Sequence, residues 1–263
     1  SGSTCNVYTA PTNRSKLGVN LQGVSYWTTQ HPFVDFHREG SSWVYFIINQ
    51  GWSSGTAYQS QVPLDSNGYP TYLPPGITVG TLMSRDVLTH YDAGNYTVLY
   101  DGDGTLNFGM FDVTNVVFGI GKCTLTVVPS TNMNNGILVT IERTNPNNHI
   151  RNIRVIRPGY EQTWWTQTFS PLMLEKLAPY STLRFMDWTN TNSQTDTAWN
   201  TRTQTSYRTY TGNGVAWEET IHLANLLGKD MWINIPYLAT NDYITQLATL
   251  VLNTLEPHLK VYV

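Results

Sequence analysis

Residues able to do chemistry are few and scattered along this 263-residue chain. The stretch GWSSG at 51–55 has the Gly-x-Ser-x-Gly spacing of a hydrolase nucleophile elbow, which displays a serine on a strand-to-helix turn. A strand-like run precedes it, but the following TAYQSQVPLDSNGYP is polar and broken by proline. The motif therefore reads as a Ser/Gly-rich loop. DGDG at 101–104 sets Asp101 and Asp103 at calcium-loop spacing, yet its glycine falls too early and the later ligands of an EF-hand are missing. It reads as a tight turn between strands. The histidines (His31, His37, His90, His149, His222 and His258) show no metal-ligand spacing such as i, i+4. No Walker or dinucleotide glycine signature is present, so neither a metal nor a cofactor is expected.

Charged residues make up 13% of the chain, about half the usual share, so its polar surface must come from Thr, Asn, Ser, Gln and Tyr. With nine Trp and sixteen Tyr, such a surface suits neutral ligands such as sugars, or packing against other protein. Lys plus Arg number 15 against 18 Asp plus Glu, which lacks the cationic excess a phosphate backbone demands and argues against nucleic acid. Arg151, Arg154 and Arg157 form the densest basic run, but on a strand-like segment they read as scattered pairing charges. No apolar run approaches the roughly 20 residues of a membrane helix. Cys5 and Cys123 could join in an exported chain, stapling the N-terminal tail to a strand, or remain free. Asn13 and Asn95 head Asn-x-Ser/Thr triplets open to glycosylation. Low charge, few cysteines and aromatic richness lean towards a secreted, extracellular protein.

The elements that must position any site change character near residue 158. Before it, short runs such as WVYFIINQ (43–50), YTVLYD (96–101), KCTLTVV (122–128), ILVTIER (137–143) and IRNIRVIR (150–157) are divided by Gly, Pro, Asn and Asp clusters. Short strands with such turns predict an antiparallel β-sandwich. After it the rhythm is strand–helix. FSPLMLEKLAP starts a helix with Ser170 as N-cap and Pro171 first. GVAWEETIHLANLLGK sets Trp217, Ile221, Ala224 and Leu227 on one face and closes at Gly228. TNDYITQLATLVLNTL sets Ile244, Leu247, Val251 and Leu255 inward. LRFMDW, DMWINIP and KVYV are the intervening strands, and LGVNLQGV at 17–24 is an earlier one. Such alternation means parallel strands joined by crossover helices. The scheme is a tail and first strand over 1–40, a β-sandwich insertion over 41–158, and β/α units over 159–263.

The motifs LGVNLQGVSYWTTQHPFVDF, LDSNGYP, AGNYTVLYDGDGTL, NHIRNIRVIRPGYE, LRFMDWTNTN and INIPYLATNDYI, in that order, resemble a group of secreted proteins described as cellulose-binding. These look like retaining-clan glycoside hydrolases on a (β/α)8 barrel with an early inserted β-sandwich. The resemblance implies a fold of mixed β and α/β type, with the sandwich following strand 1 of a partial barrel that holds strands 1–4. It implies catalytic glutamates on strands 4 and 7, the first just after KVYV; neither position lies in this sequence, so no catalytic residue is nominated. The barrel would be completed by a second chain, by self-association or by a missing C-terminal half, and Val263 ends in an open strand edge.

Barrel sites lie at the C-terminal ends of strands. The resemblance therefore points to Trp27 after strand 1, to Asp187, Trp188 and Asn190 after strand 2, and to Asn234 and Tyr237 after strand 3. Arg184 matches the clan's arginine beside the nucleophile. Indole rings with amide and hydroxyl groups suit a neutral sugar. Tyr237 and Asn241 stand where the family commonly has histidine and aspartate. Retaining hydrolysis needs two carboxyls about 5–5.5 Å apart. Only Asp187 is near the expected mouth, while Glu218 and Glu219 suit the first turn of a helix. The expectation is a secreted protein that recognises a neutral β-linked polysaccharide, with hydrolysis unsupported by this chain alone. The alternative is a structural, self-assembling extracellular protein on the same scaffold.

Overall fold

A computed structural model of the chain describes residues 16–53, 58–195 and 197–263. It holds mixed β and α structure in three sheets. Two compact units divide the chain: residues 16–22, Pro171–Arg202 and Val215–Val263 form the α/β unit, and Gly23–Ser170 with Thr203–Gly214 form the β unit.

The α/β unit opens with β1 (Gly18–Asn20), after which the chain enters the β unit. There it forms β2 (Val44–Ile47), β3 (Gly51–Ser53), β4 (Ile77–Met83), β5 (Gly94–Asp101), β6 (Gly104–Gly109), β7 (Val113–Gly119), β8 (Lys122–Val127), β9 (Ile137–Thr144) and β10 (Arg151–Ile156). The five apolar runs read from the sequence are β2, β5, β8, β9 and β10. One antiparallel sheet has the order β10-β5-β8-β7 and the other β3-β2-β4-β9-β6. Alternation decides which residues face inward. Tyr45, Ile47, Val79 and Ile141 from one sheet join Tyr96, Val98, Leu125 and Val155 from the other in a single buried cluster.

DGDG is a turn, as its composition predicts, and it does more than close a hairpin. It carries the chain from β5 in one sheet to β6 in the other. Gly102 has φ +93°, and a Cβ there would lie 2.1 Å from the His149 carbonyl oxygen. Only glycine fits that crossing. Asp103 accepts from Arg143 and Asn145, which lowers its pKa, and Asp101 accepts from Asn152.

Polar ties hold the segment 31–39 inside the β unit. Asp35 accepts from the His37 and Val155 backbone amides and lies beside Arg154. Glu39 bonds the His31 ring and the Phe33 amide, and Arg157 grips Asp92. Two of the three clustered arginines thus reach carboxylates, while Arg151 bonds Asn148 and the His149 carbonyl. Segment 203–214 adds Arg208, whose guanidinium lies over the Trp43 ring and donates to the Ser41 carbonyl. Burial lowers the Arg208 pKa to about 10.

The chain returns to the α/β unit through α1 (Pro171–Leu177), β11 (Thr182–Arg184), α2 (Trp217–Leu227), β12 (Asp230–Trp232), α3 (Asn241–Thr254) and β13 (Val261–Tyr262). The strands are parallel in the order β1-β11-β12-β13, as strand–helix alternation requires. Trp217, Ile221, Ala224 and Leu227 are buried on α2, and Gly228 closes it in the left-handed conformation. On α3 Leu247 is buried and Val251 and Leu255 are half-buried as expected, but Ile244 is not. Tyr243 and Leu247 are buried while Ile244 is 43% exposed, because the Tyr243 hydroxyl accepts from the Trp217 indole N–H and its ring packs edge-on to Trp199. Thr240 caps this helix through the Tyr243 amide.

Candidate functional site

The parallel sheet is strongly two-faced. Leu21, Leu183, Phe185, Met231 and Ile233 are buried on one side. The alternate positions form a cross-strand row, Asn20↔Arg184↔Trp232↔Tyr262, on the other. All-parallel sheets are normally covered on both faces. Here Trp232 and Tyr262 remain 44% and 46% exposed.

Arg184 lies at the centre of this row. Its guanidinium carbon sits 4.8 Å from the Trp232 ring centroid, Nη1 reaches Asn20 Oδ1 at 3.5 Å, and Nη2 contacts Met186 Sδ. Its Nε is buried with no hydrogen-bond partner among the described residues. Two residues past Trp232, Asn234 is in the same condition: its Oδ1 is buried and unpartnered, while its carbonyl accepts from Thr191. Buried polar groups are nearly always paired, so the Arg184 Nε donor and the Asn234 Oδ1 acceptor stand out in this unit.

Of the residues expected at strand ends, the α/β unit brings together Arg184, Asp187, Trp188, Asn190, Asn234 and Tyr237; Trp27 belongs to the β unit, 55% exposed. Asp187 is exposed and Tyr237 is 77% exposed. Trp188 is 1% exposed, so its ring is a core element rather than a platform. Asn190 adopts the left-handed conformation ahead of a short 3-10 turn. Sequence reasoning missed Asn20, Trp232 and Tyr262. The signal was present in DMWINIP and KVYV, whose alternation sets Trp232 and Tyr262 opposite the buried Met231 and Ile233.

The acidic groups of this unit are largely engaged. Glu218 bonds Arg202, Glu219 bonds His222, Asp230 accepts from the Lys260 amide, and Asp242 accepts from Gln246. In the β unit, a groove of about 320 Å³ is lined by Phe46, Ile48, Tyr72, Pro74, Glu142 and Arg143. Trp52 stands 5.3 Å from Phe46 beside it. The charged residues of the groove are already committed, Glu142 to Asn107 and Arg143 to Asp103.

Ser53 of GWSSG ends β3, and residues 54–57 lie outside the described residues. Among the described residues no group of three or more His, Cys, Asp or Glu side chains could hold a metal, and no helix is long and apolar enough to cross a membrane. Cys123 is a buried free thiol whose pKa burial pushes up; Cys5 lies outside the described residues, as does Asn13. Asn95 is exposed on β5 and accepts from Thr126.

No family model, no curated protein and no solved structure matches this chain.

Proposed function

We propose that this is a secreted carbohydrate-recognising protein whose ligand is a neutral β-linked polysaccharide of the cellulose or β-glucan type. The observation that carries the reading is the uncovered face of the parallel sheet. It offers two aromatic rings, an amide and a guanidinium in one row, with the unpartnered Arg184 Nε and Asn234 Oδ1 beside them. A sugar presents flat C–H faces to rings and hydroxyls to paired donors and acceptors. The ordered motifs that resemble those of cellulose-binding proteins support it, and they favour a partial barrel with an inserted sandwich as the finer description of the fold.

Hydrolysis is not part of the proposal. Retaining chemistry needs two carboxyls about 5–5.5 Å apart, and Glu218, Glu219, Asp230 and Asp242 are all engaged in other bonds. Calorimetry and tryptophan fluorescence with cello-oligosaccharides and soluble β-glucan test the reading. Binding is expected, with Trp232→Ala weakening it by about tenfold or more through loss of a stacking ring. Trp52→Ala, beside the groove of the β unit, should leave it unchanged. Silence in both assays sinks the proposal; loss of binding in Trp52→Ala alone moves the site to the groove. The alternative is an extracellular structural protein on the same scaffold, favoured by the uncharged edge strand β7. Assembly without glycan binding would decide for it.

A further inference from the structure

Edge strands are normally blunted by charge, proline, brevity or strong irregularity, because a bare edge templates pairing with another strand. Among the described residues five sheet edges follow that rule. The edges β1, β3 and β13 have three, three and two residues. β10 carries Arg151 and Arg154 across a register shift. β6 is bounded by glycines and broken by a shift at Thr105/Leu106. β7 does not follow it. It is seven residues long, its only irregularity lies at its start between Val113 and Asn115, and no charged residue or proline occurs from Val113 to Gly121.

The apolar surface at this edge is also bare. Val116 packs partly against the core, and Phe118, on the same side of the strand, meets Phe108 at 6.1 Å yet stays 59% exposed. Val117, on the opposite side, is 60% exposed, and Ile120 is fully exposed. A further strand along β7 would both continue the backbone ladder and cover Phe118.

We propose that β7 is a homodimer interface, in which β7 of a second copy pairs antiparallel about a two-fold axis at Val117. Self-pairing requires an edge without charge, since residues near the axis face their own kind. In this register Val116 lies opposite Phe118 of the second copy on both sides of the axis, the β-branched–aromatic pairing that favours antiparallel strands. The pairing is independent of the glycan reading, because it uses the β unit alone.

Sedimentation equilibrium over a concentration series of the full chain tests it. The unsubstituted chain should associate to a dimer, with a dissociation constant on the order of micromolar for an interface of this modest size. Val117→Lys sets like charges against each other at the axis and should raise that constant by about tenfold or more, with far-UV circular dichroism unchanged. Val117→Cys should form a disulfide-linked dimer on mild oxidation, since opposed Cα atoms about 4.5–5.5 Å apart accept the bridge. A monomer throughout the series overturns the proposal. So does a dimer that Val117→Lys leaves intact, or one that Val117→Cys fails to link.

Discussion

His37 shows how burial turns an ordinary titratable residue into a source of acid sensitivity. It is wholly buried, stacked on Tyr69, beside Asp35, Arg38, Arg154 and Arg208. Burial first, and then the three arginines, hold its pKa well below the usual value of 6.5. Below that pH the unfolded chain gains a proton that the folded chain refuses, so stability falls as pH drops, by up to about 1.4 kcal/mol per pH unit. His37→Phe keeps a ring against Tyr69 and removes the proton site. Urea unfolding at about pH 7 and pH 5 should show the native chain losing about 1–2 kcal/mol more than the variant; equal losses would assign the acid sensitivity elsewhere. Individual side chains were unevenly legible in the sequence. Arg184 and Asn234 could be placed at strand ends, but the burial of Trp188 depends on distant packing that no local spacing reveals. Trp232 and Tyr262 lie within their strands rather than after them, where only alternation with buried neighbours marks them.

Among the elements, the DGDG crossing carries a sharp expectation. Gly102→Ala must accept both a positive φ and a Cβ driven onto the His149 carbonyl, so the backbone at this sheet crossing has to move. A loss of about 3 kcal/mol or more is expected in thermal or urea unfolding, whereas glycines in open turns, such as Gly159, should cost less. Element type was well marked by local pattern: period-2 runs gave the long antiparallel strands, and caps with 3.6-residue spacing gave α2 and α3. Strand length was not. LGVNLQGV and LRFMDW suggest strands of full length, but β1 and β11 each pair over only three residues. On α3 Leu247, Val251 and Leu255 turn inward as their spacing predicts, but Tyr243 takes the place of Ile244 because its hydroxyl bonds the Trp217 indole.

For the whole molecule, the least legible feature is segment 203–214. In sequence it sits between the short turn at Trp199–Thr201 and α2, yet it belongs to the β unit. Nothing in TQTSYRTYTGNG announces this, since the partners that fix it lie far back in the chain. Tyr210 packs 5.4 Å from Phe33, Thr209 bonds the Gly40 carbonyl, and Arg208 stacks on Trp43. The Ser41 carbonyl, the Thr81 hydroxyl and the Trp43 indole hold the Arg208 guanidinium. Arg208→Ala should cost about 3 kcal/mol in unfolding experiments, from lost hydrogen bonds and a cavity beside Trp43. Arg208→Lys should recover little, because a lysine cannot stack a planar fork on the indole.

That same excursion of the chain imposes an order on synthesis. Asn20 and Arg184, partners in the first parallel pair, are 164 residues apart. At about 5–20 residues per second, β1 waits roughly ten to thirty seconds on the ribosome before β11 is made. The β unit, meanwhile, lacks Arg208 and Tyr210 until after β11 has emerged. Vectorial translation therefore cannot complete the β unit first and then add the rest; the two units must mature interleaved, each holding an unfinished surface while the other is extended.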